Sequence, residues 1–227
     1  HYAISPDWRT FHDYFARLEK QGMGINLASY VGATQVRRMV LGDGDRAPDA
    51  AELERMKDLV REAMRDGAVG LSSALQYAPA PYASTEELIA LAAEAAKFGG
   101  IYATHMRSEG DAILPALDEA IRIGREARIP VEIWHLKTAG KANWGRMPEV
   151  IAHIQQARDS GVDITAAQLR ADFDAVLRLA ETRDVPFFRF CDSRFKGQAE
   201  EHLTFVLIDP SGNLIEFKHY RDPRMMY

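Results

Sequence analysis

A single cysteine, Cys191, stands among the 227 residues, so no intrachain disulfide can form and no cysteine-rich zinc site can assemble. Long apolar runs are missing as well. Leu88 to Ala93 is among the longest, far short of the roughly 20 residues that span a bilayer. A basic excess is absent: 28 Lys and Arg face 33 Asp and Glu, for a net charge of −5. That balance argues against a nucleic-acid or anionic-membrane partner, which calls for a basic surface. No phosphate loop of the right spacing occurs, and Ser72-Ser73 lacks the context of a nucleophile elbow. The chain opens His-Tyr-Ala-Ile, without an initiator Met or a signal-peptide pattern, as a piece cut from something longer would. A cytoplasmic location is expected, and the oligomeric state is open, self-association included.

What is present is an ordinary globular balance, 47% hydrophobic and 27% charged, at a length that allows one large domain or two small ones. From Ser5 to about Ala166 helix and strand signals alternate. Ser5-Pro6 predicts a helix start, with Trp8, Phe11, Phe15 and Leu18 at helical spacing until Gly22. Asp49 with Glu52, and Ser84 with Glu87, form capping-box patterns ahead of two further helices. Strands are expected near 24–31, 68–73, 101–105, 130–136 and 162–166, apolar on both faces, and helices near 111–128 and 148–160. Strand and helix alternating at about 30-residue spacing predicts parallel βα units. After about Ala167 the rhythm changes. A helix over 172–182 precedes Val185 to Phe190 and a hairpin of 202–208 with 213–220, joined by Asp209-Pro-Ser-Gly212 in a type I turn. That is an α+β pattern, so the domains are expected as 1–166 and 167–227.

Two histidines stand at strand ends, His105 in Ile-Tyr-Ala-Thr-His and His135 in Val-Glu-Ile-Trp-His. In a parallel barrel both would project from the C-terminal face, where active sites assemble, and two imidazoles there can reach one divalent metal. A hydrogen-bonded structural role is the alternative. Glu109 and Asp111 read as support for these ligands and as the N-cap of the following helix.

Trp8-Arg-Thr-Phe11, Gly70-Leu-Ser-Ser-Ala-Leu-Gln-Tyr-Ala-Pro79, Tyr102-Ala-Thr-His-Met-Arg-Ser-Glu-Gly-Asp111, His135-Leu-Lys-Thr-Ala-Gly140 and Asn143-Trp-Gly145 resemble the N-acyl-D-amino-acid deacylases. These are metal-dependent amidohydrolases on a distorted TIM barrel, and the likeness covers about residues 3 to 166. It implies that His105 and His135 are metal ligands, most simply to zinc. It implies that Lys137 and Tyr77 line the site of an N-acyl amino acid, the lysine pairing with the free carboxylate. The reaction implied is amide hydrolysis, with a metal polarising the carbonyl and activating water. The sequence departs from that pattern in three ways. It has no His-x-His pair, it has Val-Gly-Ala where the family has Val-Gly-His, and Ala-Gln-Leu-Arg follows Ala166 in place of an Asp and Tyr-Pro-Tyr run. No catalytic residue can be assigned, and five βα units cannot close an eight-stranded barrel.

Leu203 to Lys218, with Phe195-Lys-Gly-Gln198 and Arg221-Asp-Pro223, resembles the glyoxalase/bleomycin-resistance group, also called vicinal oxygen chelate proteins. The likeness covers about 173 to 227 and implies a βαβββ module with Glu216 as a ligand of a separate metal site. The overall expectation is α/β, a partial TIM-barrel-like segment followed by a small α+β module, acting as an incomplete deacylase. A glyoxalase-like module working as a dimer, or a fusion chain without activity, are the alternatives.

Overall fold

A computed structural model describes residues 8–167, and the backbone of 187–194, 202–208 and 214–220. The chain divides into two compact units, His1–Ala167 and Gln168–Tyr227.

The first unit starts with helix α1 (Phe11–Gln21), capped by Thr10, whose hydroxyl accepts from the Asp13 amide while the Asp13 carboxylate accepts from the Thr10 amide. Ser5-Pro6 lie outside the described residues, but the expected start there is too early: Trp8 is not helical, and Thr10 is the cap. Strand β1 is only Val31–Gly32, where the apolar run had predicted a strand over 24–31. A run becomes a strand only where a neighbour takes its hydrogen bonds, and only Val31 and Gly32 pair, with Leu71 and Ser72. Helix α2 (Ala33–Leu41) follows directly and was not foreseen. It has no side-chain N-cap, and its buried face includes a charged residue, Arg37, which hides the apolar stripe.

Helix α3 (Ala50–Arg65) carries the full Asp49/Glu52 capping box. Strand β2 (Gly70–Ala74) leads to helix α4 (Thr85–Ala96), where Ser84 accepts from the Glu87 amide. The Glu87 carboxylate does not return that bond, because it accepts from Arg37 across the core. Then come β3 (Ile101–His105), α5 (Ile113–Ala127), β4 (Val131–Ile133), α6 (Met147–Asp159) and β5 (Ile164–Ala166). The five strands form one parallel sheet in the order β1-β2-β3-β4-β5. No helix among the described residues is long and apolar enough to cross a membrane.

Only one face of this sheet is a core, against the expectation of two apolar faces. Leu71, Tyr102, Val131, Ile133 and Ile164 are buried with Leu88, Leu91, Leu117 and Ile121 of the covering helices. Successive strand residues point to opposite faces. The other face therefore shows Ser72, Ala74, His105, Glu132 and Thr165, small or polar and partly exposed. In a barrel wall the chemistry gathers at the C-terminal ends of the strands, where His105 stands.

In the second unit β6 (Phe187–Arg194), β7 (His202–Ile208) and β8 (Leu214–Tyr220) form an antiparallel sheet in that order. The expected hairpin is β7–β8, with Glu216 opposite Val206. The helix over 172–182, the turn at 209–212 and the side chain of Glu216 lie outside the described residues. The expected class, α/β with a parallel segment followed by antiparallel strands, matches what is described.

One buried ion pair ties α2 to α4. Arg37 and Glu87 are 1% and 4% exposed, the second terminal guanidinium nitrogen, Nη2, reaches the carbonyls of Gly44 and Arg46, and Nε is buried without a hydrogen-bond partner. Burial pushes the Glu87 carboxyl up from its ordinary value even with the guanidinium beside it. Removing one partner strands the other charge, so Glu87→Ala is expected to cost about 3–5 kcal/mol in denaturant unfolding. Replacing both residues with Met and Leu should cost less than the single change. A single-variant loss under about 1 kcal/mol would mean that the pair is solvated.

Candidate metal centre

His105 is the last residue of β3 and His135 follows β4 by two positions, so adjacent parallel strands deliver both imidazoles to the same end of the sheet. His135 sits at φ 40°, in the left-handed region that a non-glycine residue rarely takes. Such backbone costs of order 1 kcal/mol and persists where the surroundings demand it. Here the turn brings the ring toward β3. His105 Nδ1 and His135 Nε2 lie 2.9 Å apart, with the rings nearly perpendicular.

Glu109 lies between them on the loop after β3, 6% exposed. Its Oε1 is 3.0 Å from His135 Nδ1 and its Oε2 is 3.7 Å from His105 Nε2. Lys137 Nζ donates to Glu109 Oε1 at 2.6 Å and stands 2.9 Å from His135 Nδ1. An ammonium can only donate, so His135 Nδ1 accepts, which leaves Nε2–H of His135 to donate to His105 Nδ1. His105 Nε2, at the end of this relay, is buried without a hydrogen-bond partner. Burial holds His105 below its usual pKa, outweighing the pull of Glu109, with His135 and Lys137 adding to the depression. Its neutral ring is the form that binds metal.

One ligand atom from each of His105, Glu109 and His135 lies within 4.8 Å of the other two. Nitrogen and carboxylate donors in this number suit a divalent cation such as zinc, and the buried Nε2–H of His105 has no hydrogen-bond acceptor to hold its proton against such an ion. The donor set fits a metal. Glu109 is the member that sequence reasoning placed in a supporting role. Its signal is the spacing of four from His105 on a short loop.

Neighbouring loops hold this arrangement. The Ala139 amide donates to the Glu109 carbonyl at 2.7 Å. Buried Asn143 donates to Asp111 and to the Ala139 carbonyl, joining the loops after β3 and β4. Asp111 is thus a loop tie and not the expected N-cap, a position held by Ala112 without a side-chain bond. Arg107 reaches Glu119 and the carbonyls of Pro81 and Ala83. Tyr77 stacks at a tilt on His105, ring centroids 5.4 Å apart, and is 61% exposed, so it is not a core residue. Tyr77 and Trp134 also line a neighbouring cavity of about 270 Å³ with Ser72, Ala74 and Gln35.

No family model matches this chain. It is 44% identical over 147 residues to D-aminoacylase of Alcaligenes xylosoxydans xylosoxydans, covering 65% of this chain and 30% of that protein. It is 37% identical over 160 residues to N-acyl-D-glutamate deacylase of the same organism, covering 70% and 33%. The zinc- and phosphonate-bound N-acyl-D-glutamate deacylase from Bordetella bronchiseptica superposes with a TM-score of 0.70 at 34% identity, covering 73% of this chain and 35% of that one. A D-aminoacylase described as defining a subset of amidohydrolases gives 0.68 at 40% identity, covering 70% and 34%. A glyoxalase/bleomycin resistance protein/dioxygenase from Alicyclobacillus acidocaldarius is 54% identical over 25% of this chain, with a TM-score of 0.24 that carries no argument from shape. The chain spans about a third of the length of the deacylases it matches. Over about 70% of its own length it shares sequence and fold with the D-aminoacylases and N-acyl-D-amino-acid deacylases, amidohydrolases with a TIM-barrel-like architecture.

Proposed function

We propose that the first unit carries the metal-binding and carboxylate-binding part of an N-acyl-D-amino-acid deacylase, which hydrolyses the amide bond of a small N-acyl-D-amino acid. The observation that carries this reading is the meeting of His105, His135 and Lys137 at one end of the parallel sheet around a buried carboxylate. His105 and His135 would hold a divalent metal, zinc first. Bound there, zinc supplies polarisation of the scissile carbonyl and a lowered pKa for water.

The chain's own residues do the rest of the binding. Lys137 offers a point cation for the free carboxylate of the substrate. In the present structure Glu109 engages that ammonium, so the substrate carboxylate must compete with Glu109 for it. Tyr77, exposed beside His105, covers one side of the site with its ring. The tied loops after β3 and β4 fix these groups relative to one another, which lowers the ordering cost of binding. Residues 1–166 are the amidohydrolase-like partial barrel in this reading. Residues 167–227 are a glyoxalase-like α+β half-module with Glu216 as ligand of a separate metal, supported by its sequence block and antiparallel pairing. A cytoplasmic location fits a chain with one cysteine.

Calorimetry of the zinc-loaded chain with N-acetyl-D-methionine tests the proposal. Binding is expected to require zinc and to weaken at least about tenfold in Lys137→Met, a loss of about 1.4 kcal/mol. Equal affinity in the variant, or binding indifferent to zinc, would contradict it. Turnover is a separate matter, because metal, activated water and a proton-transferring carboxylate act as a unit. The sequence shows no His-x-His pair and no assignable acid–base aspartate. The chain alone is therefore expected to deacylate N-acetyl-D-methionine slowly or not at all, even with added zinc. Zinc-dependent turnover abolished by His105→Ala would show that further groups complete the site.

A further inference from the structure

On the open face of the sheet the side chains above β1 and β2 are small, with Gly32 level with Ser72 and Ala74 level with His105. Aromatic rings stand around this floor. Trp134, on the turn after β4, meets the Tyr30 ring edge-on at 5.8 Å, and Tyr77 leans on His105. The space bounded by Ser72, Ala74, Tyr77 and Trp134 is the cavity of about 270 Å³. A cavity of roughly 150 Å³ suffices for a benzene ring, so this one has room for a ring and a short linker. Thr34, Gln35 and Arg38 of α2 give it one polar wall, where Arg38 Nε donates to Asp43 at 2.6 Å. With its charge matched in this way, the guanidinium does not call for an anionic ligand.

The cavity also lies on a definite side of the two histidines. Across the sheet its floor belongs to β1 and β2, His105 ends β3, and His135 and Lys137 follow β4. An amide is planar and trans, so the acyl carbon and the carboxylate-bearing carbon of an N-acyl amino acid leave it in opposite directions. A substrate with its carboxylate at Lys137 and its carbonyl at the imidazoles thus extends its acyl group toward β1 and β2. We infer that this cavity is the acyl subsite, and that it takes an apolar acyl group bulkier than acetyl, of the size of phenylacetyl. The inference rests on the deacylase reading of the first unit and adds the acyl class to it. Tyr77 and Trp134 offer an aromatic acyl group the ring contacts that aromatic pairs favour. Ser72 sets the depth of the floor, since a longer side chain there would occupy the space that the ring needs.

Calorimetry of the zinc-loaded full chain with N-acetyl-, N-phenylacetyl- and N-succinyl-D-methionine tests the assignment. The phenylacetyl compound is expected to bind at least about tenfold more tightly than the acetyl one. Ser72→Leu should erase that preference by filling the floor. Should Ser72→Leu fail to fold, Gln35→Trp, at an exposed position of α2, should erase it from the cavity mouth. A preference that survives the filling variant places the ring elsewhere and overturns the inference. Tighter binding of the succinyl compound overturns it as well, because Arg38 would then be serving an anionic acyl end. Equal binding of the acetyl and phenylacetyl compounds, both weakened in Lys137→Met, overturns the acyl assignment and leaves the deacylase reading intact. Binding of none of the three overturns both.

Discussion

Burial of Leu71, Tyr102, Val131, Ile133 and Ile164 beneath the helices fixes where every other side chain of the parallel sheet must point. Strand alternation leaves no freedom once one face is committed, since a slip of one residue would expose the whole apolar set. His105 therefore projects away from the helices. The hydroxyls of Ser73, Tyr102 and Thr104 stay on the covered face and satisfy one another, with the Tyr102 phenol pushed up to about 12 by burial. The polar side chains that remain on the open face are the ones with chemistry to offer.

The centre is then governed by one buried carboxylate. Glu109 organises Lys137 directly and both imidazoles by proximity, while loop hydrogen bonds from Ala139 and Asn143 hold the two supporting loops together. Charge balance and positioning are the same interaction here. A carboxylate too mobile to be desolvated would not order the lysine, which also meets the ring and the carbonyl of His135. The strained backbone at His135 belongs to the same arrangement, because an extended residue there would carry its ring away from β3.

Much of the framework was legible from residues. The Asp49/Glu52 cap, the strand ending at His105 and the helices after β3 and β4 follow from local signals that tertiary contacts reinforce. The misreadings have a common cause in contacts between distant segments. The apolar run 24–31 resembled a strand, but pairing reaches only Val31 and Gly32. Helix α2 was hidden because its buried face includes Arg37, whose partner Glu87 is 50 residues away. Asp111 resembled a cap, but the Asn143 amide claims it. His105 was readable at its strand end, whereas His135, expected to end its strand, stands two residues beyond β4 at a positive φ that no local signal announced. Glu109's place beside them was not readable, because it depends on the loop path and on Lys137 from the loop after β4.

Every functional role proposed above requires that these side chains form a metal-binding centre. Equilibrium dialysis of the full chain against zinc at neutral pH tests it most directly. The account predicts one zinc per chain, lost when His105 and His135 are both replaced by alanine. Zinc that fails to bind, or that stays bound in the double variant, would contradict it.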